Sequence, residues 1–436
     1  MTQETAVGRH ILVLNRFDRE MGCRYPDYID HTADRVAYLT SAAGRTGVDA
    51  SLAETTAVVD DLADWPSVSG LARDIASRFG PLDYIVALFE RDLEVAAALR
   101  ELLVVPGPSR ADVMKVRDKV TMKRLVAAAG LRVPRFAEAS SSEQVRRFAD
   151  EVGLPVVLKP RDGSGSQAIY LINSRDSLAS LEDASPMSDY MCEEFITGTI
   201  YQVDGVVQDG TVLVLRAFRL LNSCLDYALG DSFGSVASDD IALEERLIGY
   251  SELALAALGV RSSVFHLEVF AVDPVGPGKY DGLVFLEVAA RPGGAELPHI
   301  WREVYGLDLL EVAVRLSVGE SPIPGQVALA DEAGGYLLMP EPQVKPSRVL
   351  SVTSLIDRVP AMYAEILPEP GTILNGTGGA KETCGRYRFR AGSGQEIELA
   401  IRQVLANYEI TSEPAAEDGG TAVVRVAGRA QSMTLP

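Results

Sequence analysis

The segment 264–291, VFHLEVFAVDPVGPGKYDGLVFLEVAAR, restricts the possible folds more than any other stretch of the chain. Two apolar, β-branched and aromatic runs flank a loop, about 273–282, dense in glycine and proline, which is the pattern of a β-hairpin. A symmetric loop has its midpoint between Pro277 and Gly278, and Glu268 then stands opposite Glu287. Period-two alternation places His266, Phe270, Phe285 and Ala289 on the face of the two glutamates, and Leu267, Val269, Leu286 and Val288 on the core face. Two carboxylates directly opposed, with Cβ atoms about 5 Å apart, repel unless a cation lies between them. A magnesium ion shared with phosphate suits that position, because hard cations take carboxylate oxygens and keep places for phosphate oxygens. The alternative is a solvated outer face, against which the two phenylalanines argue. Arg291, four residues past Glu287 on a Pro-Gly-Gly loop, can fork onto a transferring phosphoryl group or close a structural salt bridge. His266 orients a substrate or accepts an amine proton, or else is a satisfied structural histidine.

The first hundred residues alternate strand and helix patterns. Residues 10–17 (HILVLNRF) and 82–89 (LDYIVALF) read as strands, and 32–43, 68–79 and 90–103 as helices, with Pro106-Gly107-Pro108 closing the unit. Such alternation implies a parallel sheet with a crevice at its strand C-termini. Glu90 stands at one of these ends, where it either compensates a helix N-terminus or contacts a substrate amine. Residues 112–130 read as one helix ending at Gly130, with Lys115, Lys119 and Lys123 on a shared face. A solvated face accounts for two of the three lysines.

A strand at 155–159 (PVVLK), a loop DGSGSQ at 162–167 and a strand at 168–172 (AIYLI) follow. Gly163, Gly165 and Ala168 fit the GxGxxA spacing, but that fingerprint needs a helix after the loop to face a pyrophosphate, and β-branched and aromatic residues follow instead. GxxxxGK[ST] is absent, which excludes a P-loop enzyme. The loop reads as a hairpin tip whose N–H groups can close over phosphates, with Lys159 as a nearby point charge, or as an ordinary mobile turn. Residues 174–182 read as a helix, and 190–196, 200–207 and 211–218 as an antiparallel meander. A helix at 243–258 ends at Gly259.

In this order the motifs resemble the ATP-grasp superfamily over nearly the whole chain. The likeness rests on Asp118-Lys119, Lys159 in VVLKPRDGSGS, EEFITG at 193–198, Val203-Asp204-Gly205, Glu268, Glu287 and Arg291. HLE ending at Glu268 and EVAARPGG starting at Glu287 most resemble the L-amino-acid ligases, which form dipeptides. The resemblance implies an α/β chain with the ATP-grasp fold: a Rossmann-like pre-ATP-grasp domain (1–110), a small lobe with the glycine-rich loop (111–198), a large lobe with the metal site (199–325) and a small β-rich C-terminal lobe (326–436). It implies ATP held by Lys119, Lys159 and the loop residues Gly163, Ser164, Gly165 and Ser166, adenine at the hinge Glu193, Glu194, Phe195 and Ile196, and Mg2+, with Mn2+ as a substitute, on Glu268 and Glu287. Arg291 and His266 would act in catalysis, and Glu90, Arg219, Gly293 and Gly294 would contact the substrate. Two positions depart from the pattern. Ile200 replaces a ribose-binding glutamate, leaving Gln202 and Asp204 on the same strand face to take over. Ala289 replaces the usual asparagine, so one metal or phosphate contact must come from elsewhere.

The activity implied is ATP-dependent joining of a carboxylate and an amine through an acyl phosphate, with amino-acid-like or carboxylic-acid substrates. A carboxylase of the purine-synthesis type, or a nucleotide-binding regulatory protein without catalysis, are the alternatives; Ile200 and Ala289 would be symptoms of the latter. A formal charge of −20 repels nucleic acid and anionic lipid. No long apolar run marks a signal peptide or a membrane span. Four dispersed cysteines, Cys23, Cys192, Cys224 and Cys384, form no CxxC pair. A cytoplasmic protein with reduced cysteines, and room for a homodimer, is expected.

Overall fold

The structure is a computed structural model that describes residues 8–18, 23–163, 168–179, 189–223, 226–227, 230–376, 383–415 and 424–427. Strands β1 (His10–Asn15), β2 (Arg35–Ser41), β3 (Thr55–Val59) and β4 (Tyr84–Ala87) form a parallel sheet in the order β3-β2-β1-β4. Helices Trp65–Phe79 and Glu90–Leu103 follow β3 and β4. The helix expected at 32–43 is instead β2. Val36, Ala37, Tyr38 and Leu39 are all buried, because a parallel sheet is covered on both faces. A continuous apolar run carries no period of two, and a helical period can be laid over it.

The single helix expected at 112–130 is two, Arg110–Arg117 and Lys119–Ala128. The break is at Asp118, whose extended backbone ends the first helix and whose carboxylate accepts from Thr121 N at 2.7 Å to cap the second. The break also divides the lysines: Lys115 pairs with Asp112 at the surface, while Lys119 and Lys123 are buried.

Strands β5 (Phe136–Ala139), β6 (Val156–Pro160), β7 (Tyr170–Ile172) and β8 (Tyr190–Glu194) make a small antiparallel sheet in the order β5-β8-β6-β7. The meander expected to include 190–196 therefore starts one strand later. Local pattern identifies β8 as a strand, but its partners lie some thirty to fifty residues upstream.

Strands β9 (Thr199–Gln208), β10 (Thr211–Leu220), β11 (Phe233–Ala237), β12 (Ser263–Ala271), β13 (Leu283–Ala289), β14 (Ala333–Pro340), β15 (Ser347–Val352), β16 (Met362–Ile366), β17 (Ile373–Leu374), β18 (Thr383–Ala391), β19 (Glu409–Pro414) and β20 (Val424–Ala427) complete the set. Eight of them form one antiparallel sheet, β13-β12-β9-β10-β11-β14-β18-β16, and four a second, β17-β15-β19-β20. The large sheet thus runs across the boundary proposed at 325. One core joins β1 and β2 to this sheet through helices Leu297–Glu303 and Leu309–Ser317, with Trp301 and Tyr336 fully buried in it. Another packs helices Lys119–Ala128 and Ile241–Ala257 under β12 and β13.

Candidate active site

The hairpin β12–β13 pairs Glu268 with Glu287, Leu267 with Val288 and His266 with Ala289, in the register that loop symmetry gives. One step further the register shifts: Val269 faces Phe285 and Phe270 faces Val284. Leu286 is the extra residue of a β-bulge. The bulge corrects the expected faces. Phe285 is buried with Leu267, Val269 and Val288, whereas Leu286 joins Glu268, Glu287 and Phe270 on the wall of a cleft.

That cleft, of about 960 Å³, opens between the small sheet and the large one. Its polar lining brings together Lys119, Lys159, Glu193, Glu268 and Glu287; its apolar walls include Val157, Leu171, Phe195, Ile196, Ile200 and Phe270. Lys119 Nζ lies 3.3 Å from Glu287 and donates to the Gly163 carbonyl at 2.6 Å. Lys159 Nζ lies 2.5 Å from Glu193 Oε1, and Lys123 Nζ lies 3.2 Å from its other oxygen. Burial works against the charge of Glu193 and Glu287, but the lysines outweigh it: the Glu193 carboxyl is held below its usual range by Lys123 and Lys159, and that of Glu287 at about 2 by Lys119, Lys159 and Lys123. Burial pushes the Lys123 ammonium down to about 8 despite Glu193, while Lys159, facing Glu193 and Glu287, is raised.

His266, Gly293, Gly294, Arg291 and Glu90 lie outside the cleft lining. Burial opposes the charge on His266, but Asp204, with ring Nδ1 3.2 Å from its Oδ2, and Glu268, 3.6 Å from Nε2, raise the ring to about 10. Asp204 also accepts from Gly293 N at 3.0 Å, and a Cβ on Gly293 would lie 2.4 Å from Asp204 Oδ1. A Cβ on Gly294 would meet nothing within 4 Å. Arg291 donates to Glu90 at 2.5 Å and to the Pro292 carbonyl at 2.7 Å. Glu90, at the start of its helix, also binds Arg117, which reaches on to the Asp162 carbonyl. Its carboxyl pKa is lowered, with Arg291 and Arg117 overcoming burial.

The remaining candidates are engaged elsewhere. Glu194 accepts from Arg135 N at 3.0 Å and still borders the cleft. Gln202 faces the Tyr336 hydroxyl at 3.1 Å and lies outside the cleft lining. Arg219 pairs with Glu398. Ser164, Gly165 and Ser166 lie outside the described residues. Lys123 and Arg117 received no site role from the sequence: on the single helix read over 112–130 a lysine at i+4 is expected to face solvent, and no motif singles out Arg117.

A family model described as an ATP-grasp domain matches residues 116–294. Residues 116–294 are an ATP-grasp domain. Among solved structures, the L-amino acid ligase from Bacillus licheniformis superposes with a TM-score of 0.71 at 18% identity, covering 92% of this chain and 98% of that one. A carboxyaminoimidazole ribonucleotide synthase from Aspergillus clavatus, complexed with ATP, gives 0.67 at 16% identity over 91% and 97%. These likenesses extend the ATP-grasp fold to nearly the whole chain. By sequence, the L-arginine-specific L-amino acid ligase of Bacillus subtilis is 22% identical over 273 residues, 61% of this chain and 64% of that protein. The D-alanine–D-alanine ligase of Desulforudis audaxviator is 27% identical over 223 residues, 46% of this chain and 68% of its own. The chain thus matches less than two thirds of the length of the Bacillus subtilis relative.

The ATP-grasp cleft suits a divalent cation only when phosphate completes its shell. Among the described residues, no group of three or more His, Cys, Asp or Glu gathers to hold a metal. Glu268 and Glu287 supply two facing carboxylates in the cleft, and magnesium is commonly held by one or two carboxylates plus substrate phosphates. The residues present fit that role. Among the described residues, no helix is long and apolar enough to cross a membrane.

Proposed function

We propose that this ATP-grasp protein is an ADP-forming carboxylate–amine ligase that joins amino-acid-like substrates through an acyl phosphate. The observation that carries the reading is the meeting of the facing Glu268–Glu287 pair with Lys119 and Lys159 in one cleft. The adenine would rest against Phe195 and Ile196, with Lys119 and Lys159 on the phosphates. Glu268 and Glu287 would hold the magnesium ion, which supplies charge neutralisation at the phosphates. A substrate carboxylate oxygen bonds to the γ-phosphorus as the bond to the β,γ-bridging oxygen breaks, leaving ADP. The amine nitrogen then bonds to the acyl carbon, phosphate departs, and the amine proton is lost. Arg291, steered by Glu90, is suited to steady the phosphoryl group. His266, between Asp204 and Glu268, orients the substrate side of that face. The work of the site is positioning and charge stabilisation. The likeness to amino-acid ligases in both sequence and fold supports this reading.

The superposition with carboxyaminoimidazole ribonucleotide synthases favours a second reading, a carboxylase that activates bicarbonate. Hydroxylamine distinguishes the two. With ATP, magnesium and a panel of amino acids, a ligase yields a hydroxamate from one of them, and Arg291→Ala abolishes it. ADP release that depends on bicarbonate, with no hydroxamate from any amino acid, would overturn the ligase reading.

A further inference from the structure

Lys123 carries a role that neither the motifs nor the relatives assign. It is fully buried and outside the cleft lining, so it is not placed to touch a ligand. Its ammonium donates to the Leu286 carbonyl at 2.5 Å and lies 3.2 Å from Glu193 Oε2 and 5.7 Å from the centre of the Phe285 ring. Leu286 is the bulged residue of β13, and the bulge carries Glu287 into line with Glu268. A bulge takes a residue out of the regular ladder, and a partly buried carbonyl such as that of Leu286 then needs a donor from elsewhere. Lys123 is that donor. Through Glu193 the same ammonium reaches β8 of the small sheet, where Glu193 holds Lys159 at 2.5 Å.

We infer that Lys123 is a positioning residue that pins the β13 bulge and the Glu193–Lys159 pair, and so fixes the aim of Glu287 and Lys159 into the ATP-grasp cleft. The inference rests on the proposed nucleotide and magnesium reading of that cleft. Lys123 acts at a distance from the phosphates, by holding the main chain one residue before Glu287. If Glu287 binds magnesium only in the orientation the bulge gives it, loss of the clamp should weaken the metal contribution more than nucleotide contacts made by the apolar walls.

The competing account is that Lys123 only neutralises Glu193, since leaving a buried charge without its partner is strongly destabilising. Two variants separate the accounts. Lys123→Met removes the charge and the donor while keeping the length; Lys123→Met with Glu193→Gln also removes the stranded carboxylate. Calorimetry of ADP binding at increasing magnesium gives the half-saturating metal concentration, and thermal unfolding gives stability. The expected result is a half-saturating magnesium concentration at least tenfold above wild type in both variants, with the unfolding temperature recovered in the double variant. If Lys123→Met alone does not fold, the double variant carries the test. A magnesium requirement within twofold of wild type, in either folded variant, would overturn the inference. Failure of the wild-type protein to bind ADP with magnesium would instead remove the functional reading beneath it.

Discussion

Glu287→Gln separates a metal carboxylate from a structural one, because its two expected effects have opposite signs. The carboxylate lies 3.3 Å from Lys119 and is held ionised by three lysines. Neutralising it leaves Lys119, Lys123 and Lys159 facing Glu193 and Glu268, so the cleft gains one positive charge. At an effective dielectric of about 20 and a separation of about 8 Å, one unit charge acts on a nearby phosphate charge with about 2 kcal/mol. Mobile ions at physiological salt take back part of this, leaving about a tenfold gain in affinity for ATP in the absence of metal. The same substitution removes one of two magnesium carboxylates, so magnesium should no longer tighten nucleotide binding, and turnover should fall to near background. Two calorimetric titrations, with chelator and with excess magnesium, test both arms. Weaker binding of metal-free ATP together with an undiminished magnesium effect would refute the reasoning, since a purely structural glutamate gives that pattern through local collapse.

Two further outcomes follow from the site's surroundings. Gly293→Ala places a methyl group 2.4 Å from Asp204 Oδ1 and 3.0 Å from His266 Nδ1; overpacking of this kind costs about 1–3 kcal/mol, and a urea midpoint unchanged from wild type would refute the close fit. Glu303 is held at about 2 instead of 4.5, with His299 and Arg388 overcoming burial. A depressed carboxyl contributes stability that is present above pH 4.5 and lost as pH falls toward about 2. The full shift corresponds to roughly 3 kcal/mol, and partial exposure reduces it to about 1–2 kcal/mol. Glu303→Gln should therefore lower stability at pH 7 and flatten its decline in acid; parallel acid profiles for the two proteins would refute this.

The hairpin shows where the sequence is explicit and where it is silent. Loop symmetry is a local property, and it places Glu268 opposite Glu287 correctly. The bulged Leu286 carbonyl bonds to Lys123, some 160 residues upstream, a contact that no pattern within the hairpin announces, and the bulge exchanges the faces of Phe285 and Leu286. Lysine spacing in 112–130 assigns two of the three lysines to an exposed face because lysine is seldom buried; the motif resemblance turns Lys119 inward, but only the Asp118 break and the partners Glu193 and Leu286 reveal Lys123 as a second inward ammonium group. The β2 region fails for the opposite reason, since burial on both sides erases the alternation that marks a strand. The order of motifs, in contrast, survives all these local errors, and it carried the ATP-grasp resemblance.

The strand order of the large sheet also bears on how the chain is made. Synthesis delivers β9 to β13 in one stretch, but β11, in the interior of the finished sheet, receives its outer neighbour β14 only after residue 333, and β14 in turn waits for β18 at Thr383–Ala391. Until then the nascent chain presents the open edge of β11, a row of main-chain donors and acceptors able to recruit any passing strand. The acidic hairpin at the far side of the sheet can be complete while its scaffold is not. A fragment cut to the matched ATP-grasp segment, 116–294, would keep every cleft carboxylate and lysine and would leave that edge permanently uncovered.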